Sequence, residues 1–196
     1  MLTPRHSLAR EFSRAEVSKV AQVSGEHPET DPYQRLLDGA FADWRLAVDG
    51  LVARPASFSL AQLKQFPSRT QITEQTCEEG WSFVAEWTGV PLAYVMNLVG
   101  ILPRAKYVAF FPFDPAWDSL DMDDAWHPQT LLAYAMNGQD LPIDHGAPLR
   151  LKVPRQLGYK SVKYLSRIIV TDSLKQFGKG LGSSSPEVGY SWYAGI

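Results

Sequence analysis

The sequence predicts an α+β fold built on mixed or antiparallel sheets. Apolar runs of strand length are separated by turn signals, and the helical patterns between them are short. Strands and helices do not alternate in the regular βαβ order of a doubly wound fold. The chain has 196 residues, of which 45% are hydrophobic and 12% aromatic, and this is enough for one domain with a large core.

Strands are predicted where apolar residues run together, or alternate with polar ones, between turn residues. The predicted strands are 44–50, 71–77, 81–87, 106–111, 131–136 and 165–171. Asn137-Gly138 lies between apolar runs and predicts a hairpin.

Short helices are predicted between these strands. One covers 33–40, and a second covers 60–66, with Ser59 as its N-cap and Pro67 as its stop. A third begins at Pro91 and is closed by Gly100.

The two ends of the chain differ from its centre in composition. We expect one domain over residues 1–196, in which 1–32 form an extended arm with a helix turn around 8–12. Residues 178–196 begin as a Gly/Ser-rich linker and end in aromatic residues, so we expect this tail to dock back on the body.

Charge is nearly balanced overall but is segregated along the chain. The net charge of −2 predicts no nucleic-acid partner, and the lack of a long apolar run predicts that the chain does not itself span a membrane. Residues 114–144 hold seven Asp and no Lys or Arg, whereas 150–167 hold six Lys or Arg and no acid. A basic patch beside an acidic rim suits an anionic ligand.

Cys77, the single cysteine, is open to three interpretations. Most free cysteines are buried small hydrophobic residues. A nucleophile would need a lowered thiol pKa, but Glu78 and Glu79 follow directly and disfavour the thiolate. Zinc would need several Cys or His ligands at close spacing, and the four histidines are scattered. A single thiolate does suit a metal whose other ligands come from a cofactor.

Several segments resemble the sulfite-oxidase family of molybdoenzymes. The cysteine loop 75–81 reads QTCEEGW and continues as AEWTGVPL at 85–92. The most specific match is HGAPLR at 145–150, followed by LGYKSVK at 157–163. The resemblance runs in order from about Trp44 to the end. It implies a sulfite-oxidase-type molybdopterin-binding fold with mixed sheets and short helices.

The resemblance also implies a cofactor, molybdenum with one pyranopterin, and the residues that hold it. Cys77 corresponds to the family's metal ligand, while Arg150 and Lys163 correspond to residues that reach the pterin phosphate. Backbone groups around Ser161 and Val162 would complete this cradle. The further implied site residues are His145 and Ser24 at the cofactor, Glu79 for tuning protonation at the metal, and Trp117 and Asp118 at the substrate rim.

Two departures from the pattern of the sulfite-oxidising members indicate which branch of the family the chain resembles. Members that oxidise sulfite carry arginines just after the metal cysteine, and here those positions are acidic. Such members also usually carry an immunoglobulin-like dimerisation domain, which does not follow within these residues. Both features resemble the bacterial branch that contains protein-methionine-sulfoxide reductases, in which a Glu follows the cysteine by two positions, as Glu79 does.

The resemblance implies an oxidoreductase that transfers an oxygen atom to or from a small S- or N-oxide substrate. Its electrons would be exchanged with an external carrier, either a haem-bearing membrane subunit or a c-type cytochrome docking on the acidic rim. The alternatives are a sulfite dehydrogenase-like enzyme and a non-catalytic module that has lost the metal. We expect a periplasmic protein with a twin-arginine leader encoded ahead of Met1, the alternative being a cytoplasmic one.

Overall fold

Two five-stranded sheets carry the fold, and the computed structural model describes residues 6–196. The first sheet has the order β2-β1-β10-β5-β6 and the second the order β3-β4-β7-β8, with β9 also paired to β7. The strands are β1 (Arg45–Gly50), β2 (Ala56–Ser59), β3 (Arg69–Thr76), β4 (Ser82–Pro91), β5 (Tyr107–Pro112), β6 (Asp118–Asp121), β7 (Leu131–Met136), β8 (Gln139–Asp140), β9 (Arg150–Lys152) and β10 (Leu165–Thr171). Among the strand pairs of this sheet that the structure describes, β1 and β10 are the only parallel pair, so the first sheet is mixed, as predicted.

The α-helices are short and connect the strands. They are α1 (Asp31–Asp38), α2 (Leu60–Gln65), α3 (Leu92–Val99) and α4 (Met122–Ala125). Ser59 caps α2 as predicted, because its Oγ accepts from the Gln62 N–H at 3.1 Å while the Gln62 side chain accepts from the Ser59 N–H. Gly100 ends α3 with φ 71°, a conformation that favours glycine. Within the described residues no helix has the length and apolar character needed to cross a bilayer.

The main core lies where both sheets and α3 bring apolar side chains together. Trp44 and Leu46 from the first sheet pack in one cluster with Val90 and Leu132 from the second. The indole of Trp44 is fully buried, and its Nε1 donates to the Leu165 carbonyl at 3.0 Å. This single bond ties the start of β1 to its parallel neighbour β10.

The arm differs from the prediction in its local structure. The helix turn expected around 8–12 is absent; Glu11 instead bridges to Thr73, and the Phe12 N–H donates to the Ile72 carbonyl at 2.9 Å. The exposed edge of β3 offers unpaired backbone groups, and pairing with them outweighs a weak local helix preference. In the described part of the arm before α1, the only helical turn is a 3₁₀ turn at Arg14–Glu16.

The aromatic tail lies against the body of the protein. The Trp192 indole donates to the Ser119 hydroxyl at 2.8 Å, and the Leu157 N–H donates to the Ala194 carbonyl at 2.9 Å. The tail thereby places Ser184 and Ser185 beside the segment around Trp117. The same two serines line a cavity together with Cys77.

We expect Gly89→Ala to be strongly destabilising. A Cβ at this position would lie 2.2 Å from the Leu132 carbonyl oxygen, at the irregular register between β4 and β7. The strands would have to separate, and we expect the free energy of unfolding to fall by about 2–3 kcal/mol. Gly39→Ala is the matched control, because its nearest neighbour, the Arg35 carbonyl, is 3.4 Å away. Urea unfolding midpoints that fall equally in both variants would contradict this account.

Candidate active site

A cavity of about 220 Å³ opens where the arm, the loop after β3, the segment after β9 and the tail meet. Most of the sequence-predicted site residues line it, although they are far apart in the chain. Those residues are Ser24, Cys77, His145, Arg150, Ser161, Val162 and Lys163.

The loop after β3 presents the thiol of Cys77. The Cys77 N–H donates to the Trp81 carbonyl at 2.8 Å, and the Gly80 N–H donates back to the Cys77 carbonyl at 3.1 Å. Gly80 has φ 91°, so this tight turn needs a residue without a Cβ. Burial, together with the Glu78 carboxylate, raises the pKa of the Cys77 thiol to about 11, although a hydrogen bond from the Glu79 backbone opposes the shift. The protein alone therefore holds a thiol, which argues against a nucleophile.

The two acidic residues of this loop have different surroundings. The Cys77 thiol lies 3.4 Å from Oε2 of Glu78, and Glu78 lines the cavity. Glu79 is exposed and accepts from the Trp81 indole at 2.8 Å and from the Ser24 hydroxyl at 3.3 Å. The sequence analysis named Glu79 for tuning protonation and did not name Glu78. The structure brings Glu79 to the arm, because the turn rotates successive side chains away from each other.

Arg150 is a buried cation without a carboxylate partner within the described part of the chain. Its guanidinium donates to the His145 and Ser161 carbonyls, at 2.9 Å each. Burial lowers its pKa to about 10, and its exposed fraction is 4%. Neutral carbonyls orient this group but leave its charge uncompensated, so the site is prepared for an anion.

Lys163 supplies a second positive charge to the same cavity. Its ammonium donates to the carbonyls of Ser24 at 2.8 Å and Asp144 at 3.0 Å. Burial, and then the charge of Arg150, lower its pKa to about 8. Gly146 brings the two cations together: its φ is 109°, and a Cβ there would lie 3.0 Å from Cβ of Lys163 and 3.1 Å from Cβ of Arg150.

His145 is the neutral member of this group. Its ring packs edge-on against Phe83, with centroids 5.8 Å apart. Burial, and then the charges of Arg150 and Lys163, lower its pKa to about 4, while Asp144 opposes the shift. Near neutral pH the imidazole is therefore uncharged and offers one donor and one acceptor.

The structure does not bring Trp117 and Asp118, expected at the substrate rim, to the cavity. Trp117 stacks on Phe111, with centroids 5.5 Å apart. Asp118 is buried in an ion pair with Lys160, and its second carboxylate oxygen accepts from the Ser185 hydroxyl at 3.1 Å. Each side chain is thus held by its own partner, Phe111 or Lys160, so neither is free to line the substrate rim.

The segregated charges of the sequence also separate in space. Asp118 and Asp124 are buried, whereas Asp114 and Asp144 line the cavity. The acidic segment is therefore not one continuous surface. In the basic segment, Arg150, Lys152, Arg155 and Lys160 are buried as well, so these residues do not form a solvated strand face.

The donor set fits a metal that arrives within an anionic cofactor. Across residues 6–196, no three Cys, His, Asp or Glu side chains gather closely enough to bind a metal by themselves. Cys77 can thus provide one soft ligand, and the remaining ligands must come with the metal. The uncompensated charge of Arg150 and the ammonium of Lys163 in the same cavity match a phosphate-bearing group.

We expect the cofactor-free protein to lose stability in acid partly through His145. Its pKa is about 4 when folded and 6.5 in the reference state, so between these values the unfolded chain binds more protons. Stability should therefore fall as the pH drops through this range. His145→Gln lacks this titration and should lose less stability than the wild type between about pH 7.5 and about pH 5. Equal losses, measured by urea unfolding, would contradict the assignment.

Known proteins resemble this chain in sequence. Residues 33–177 match the family described as an oxidoreductase molybdopterin binding domain. A putative protein-methionine-sulfoxide reductase subunit, YedZ1 of Azospira oryzae, is 40% identical over 154 residues, covering 79% of this chain and 56% of that protein. The protein-methionine-sulfoxide reductase catalytic subunit MsrP of Xanthomonas campestris pv. campestris is 37% identical over 163 residues, covering 75% and 51%. The chain thus spans about half the length of these curated relatives.

A solved structure has the same arrangement of sheets and helices. The sulfane dehydrogenase SoxCD from Paracoccus pantotrophus superposes with a TM-score of 0.64 at 28% identity, over 67% of this chain and 39% of that one. The α+β prediction, with sulfite-oxidase-type mixed sheets, is confirmed. The family match covers most of the chain and includes Cys77, Arg150 and Lys163. The chain therefore belongs to the family of oxidoreductase molybdopterin-binding domains, whose cofactor is molybdenum with molybdopterin.

Proposed function

We propose that this chain is the cofactor-binding part of an oxidoreductase that removes an oxygen atom from a small S-oxide or N-oxide substrate. The observation that carries the proposal is the convergence of Cys77 with Arg150 and Lys163 on one cavity. A soft ligand and two cations in one place, one of them without a carboxylate partner among the described residues, suit this cofactor better than they suit a hydrolytic site or a simple binding surface.

Each of these residues has a defined task in the proposal. Cys77 provides the thiolate to molybdenum, and Arg150 and Lys163 bind the pterin phosphate. The Ser161 N–H already donates to the Gly158 carbonyl at 2.9 Å. We therefore assign the backbone hydrogen bond to the cofactor to the Val162 N–H. His145 contacts the cofactor as a neutral group, and the Ser24 carbonyl fixes the ammonium of Lys163.

The bound cofactor supplies two-electron chemistry. For an S-oxide the balance is one sulfoxide, two electrons and two protons giving one sulfide and one water. Glu78 is placed to hold a proton at its Oε2, beside the sulfur of Cys77. Glu79, the residue predicted for this task, instead accepts from Ser24 of the arm and from the Trp81 indole, and Trp81 and Ser24 both line the cavity.

Carboxylates in the cavity favour a neutral substrate over sulfite. Glu78, Asp114 and Asp144 all line it, and a dianion would be repelled by them. The names of the two sequence relatives agree with an S-oxide substrate. The alternatives, a sulfite dehydrogenase-like enzyme and a module without metal, have no comparable support from the cavity.

The same proposal covers the partner and the location. Electrons reach the cofactor from an external carrier, a haem-bearing membrane subunit or a c-type cytochrome, and the protein works in the periplasm. The family resemblance supports both points. Asp114 and the exposed Asp144 place two carboxylates at the cavity, and these are the groups that a basic carrier would contact there.

We expect protein made in a host that assembles molybdopterin to carry about one molybdenum and one pterin per chain.

In Cys77→Ser, turnover of dimethyl sulfoxide should fall by about two orders of magnitude, because a hydroxyl is a much poorer ligand for this metal. The unfolding midpoint of the cofactor-free protein should change little. Thr76→Ser, one residue earlier and outside the cavity lining, is the matched control. Zinc or no metal in the wild type would overturn the proposed function.

We expect electron transfer from a basic c-type cytochrome to slow as ionic strength rises. Exposed charges are screened beyond about 8 Å at physiological salt. Stopped-flow rates measured over a range of salt concentrations would show the effect. The control variant is Asp140→Asn, because Asp140 of strand β8 pairs with Lys64 of helix α2 and does not line the cavity. Rates that do not respond to salt would contradict an electrostatic docking surface.

A further inference from the structure

We propose that Gln75 binds the oxygen atom of the substrate through its side-chain amide, and that the buried Lys152 is the positioning residue that orients this amide. The inference rests on the proposed function and names a further residue of the same cavity. Neither residue belongs to the cradle described above, and Gln75 lines the cavity together with Cys77.

Lys152 is fully enclosed at the end of β9, with an exposed fraction of 1%. Its ammonium donates to the Glu74 backbone carbonyl at 2.9 Å and to Oε1 of Gln75 at 2.6 Å. It also lies over the Trp87 ring, 5.2 Å from the centroid. Burial, and then the charge of Arg150, lower the pKa of Lys152 well below its usual range, while Glu74 opposes the shift. Among the described residues no carboxylate forms an ion pair with it, so two oxygens and an aromatic face are what stabilise its ammonium form.

This contact decides which way the Gln75 amide points. An ammonium group has only donors, so it must be met by the amide oxygen and not by the amide nitrogen. The Nε2 group then faces away from Lys152. The amide, which could otherwise be turned either way, has one favourable orientation.

Gly158 shows where the amide nitrogen lies. A Cβ at position 158 would be 2.7 Å from Nε2 of Gln75 and 3.6 Å from Cα of Cys77. The space beside this glycine is therefore occupied by the Gln75 amide. Because Gln75, Cys77 and Gly158 all line the cavity, the amide hydrogens are presented at its wall beside the thiol.

A neutral donor at this place suits a polarised but uncharged oxygen. Sulfoxide and N-oxide oxygens are strong acceptors without a net molecular charge, so an amide N–H can bind them with no cost from the nearby carboxylates. In the proposed function, the cations Arg150 and Lys163 bind the pterin phosphate in another part of the cavity. Gln75 therefore favours substrates whose oxygen atom is polarised and whose net charge is zero.

The test uses the molybdenum-loaded protein and dimethyl sulfoxide without a reductant, so that binding is measured with no turnover. Fluorescence of Trp81, which lines the cavity, reports the titration. In Gln75→Glu one carboxylate oxygen still accepts from Lys152, but the donor is lost. We expect the dissociation constant to rise about tenfold, as expected for the loss of one hydrogen bond, and KM to rise more than kcat falls.

Gln71→Glu is the matched control. Gln71 lies on the same strand, is equally buried and donates through Nε2 to the Gln129 carbonyl at 2.9 Å, but it does not line the cavity. This variant should lose stability and keep the dissociation constant. Lys152→Met, which keeps the side-chain volume, should weaken binding in the same direction as Gln75→Glu, whereas Lys152→Arg should restore much of it.

The outcomes separate the two proposals. Absence of molybdenum from the wild type would overturn the proposed function. If the loaded wild type binds dimethyl sulfoxide and Gln75→Glu binds it equally well, the role of Gln75 is overturned and the proposed function stands. Loss of binding in Gln71→Glu to the same extent as in Gln75→Glu would show that the effect is structural, which also overturns the inference.

Discussion

The buried guanidinium of Arg150 is the constraint around which the site is arranged. Three carbonyl groups from His145, Leu151 and Ser161 accept its hydrogen bonds, and Trp87 lies against its face. These contacts give each of its three nitrogens a hydrogen-bond partner without neutralising its charge. An uncompensated cation in the interior lowers stability, so the fold accepts a cost that a bound anion would remove.

Several separate segments have to meet for this arrangement to exist. Strand β9 carries Arg150 and Lys152, and the left-handed Gly146 brings Lys163 close. The arm reaches the same place through the Ser24 carbonyl. The strand pairings hold these segments in register, because β9 pairs with β7, which in turn pairs with β4 behind the Cys77 loop. Cofactor chemistry here depends on contacts far apart in sequence.

The sequence predicted the elements whose signals are local. The strands 131–136 and 165–171 are continuous apolar runs, and Ser59 has a capping pattern readable from four residues. Strands β6 and β9 were missed because they are short and carry Asp118 or Lys152, which are buried only through partners distant in the chain. Glu79 was predicted from the family resemblance alone, and the structure places it against the arm while Glu78 lines the cavity. The direction of each side chain is set by the turn, and no spacing rule encodes it.

The tail has a consequence for how such a protein diversifies. The family match ends at residue 177, yet Ser184 and Ser185 beyond it form part of the cavity wall. The groups that grip the cofactor, such as Cys77 and Arg150, lie inside the shared region. Substitutions in the tail can therefore change one wall of the cavity while the residues that bind the cofactor stay the same. Mutational drift in these last residues is a route to new substrate preference at little risk to the redox centre.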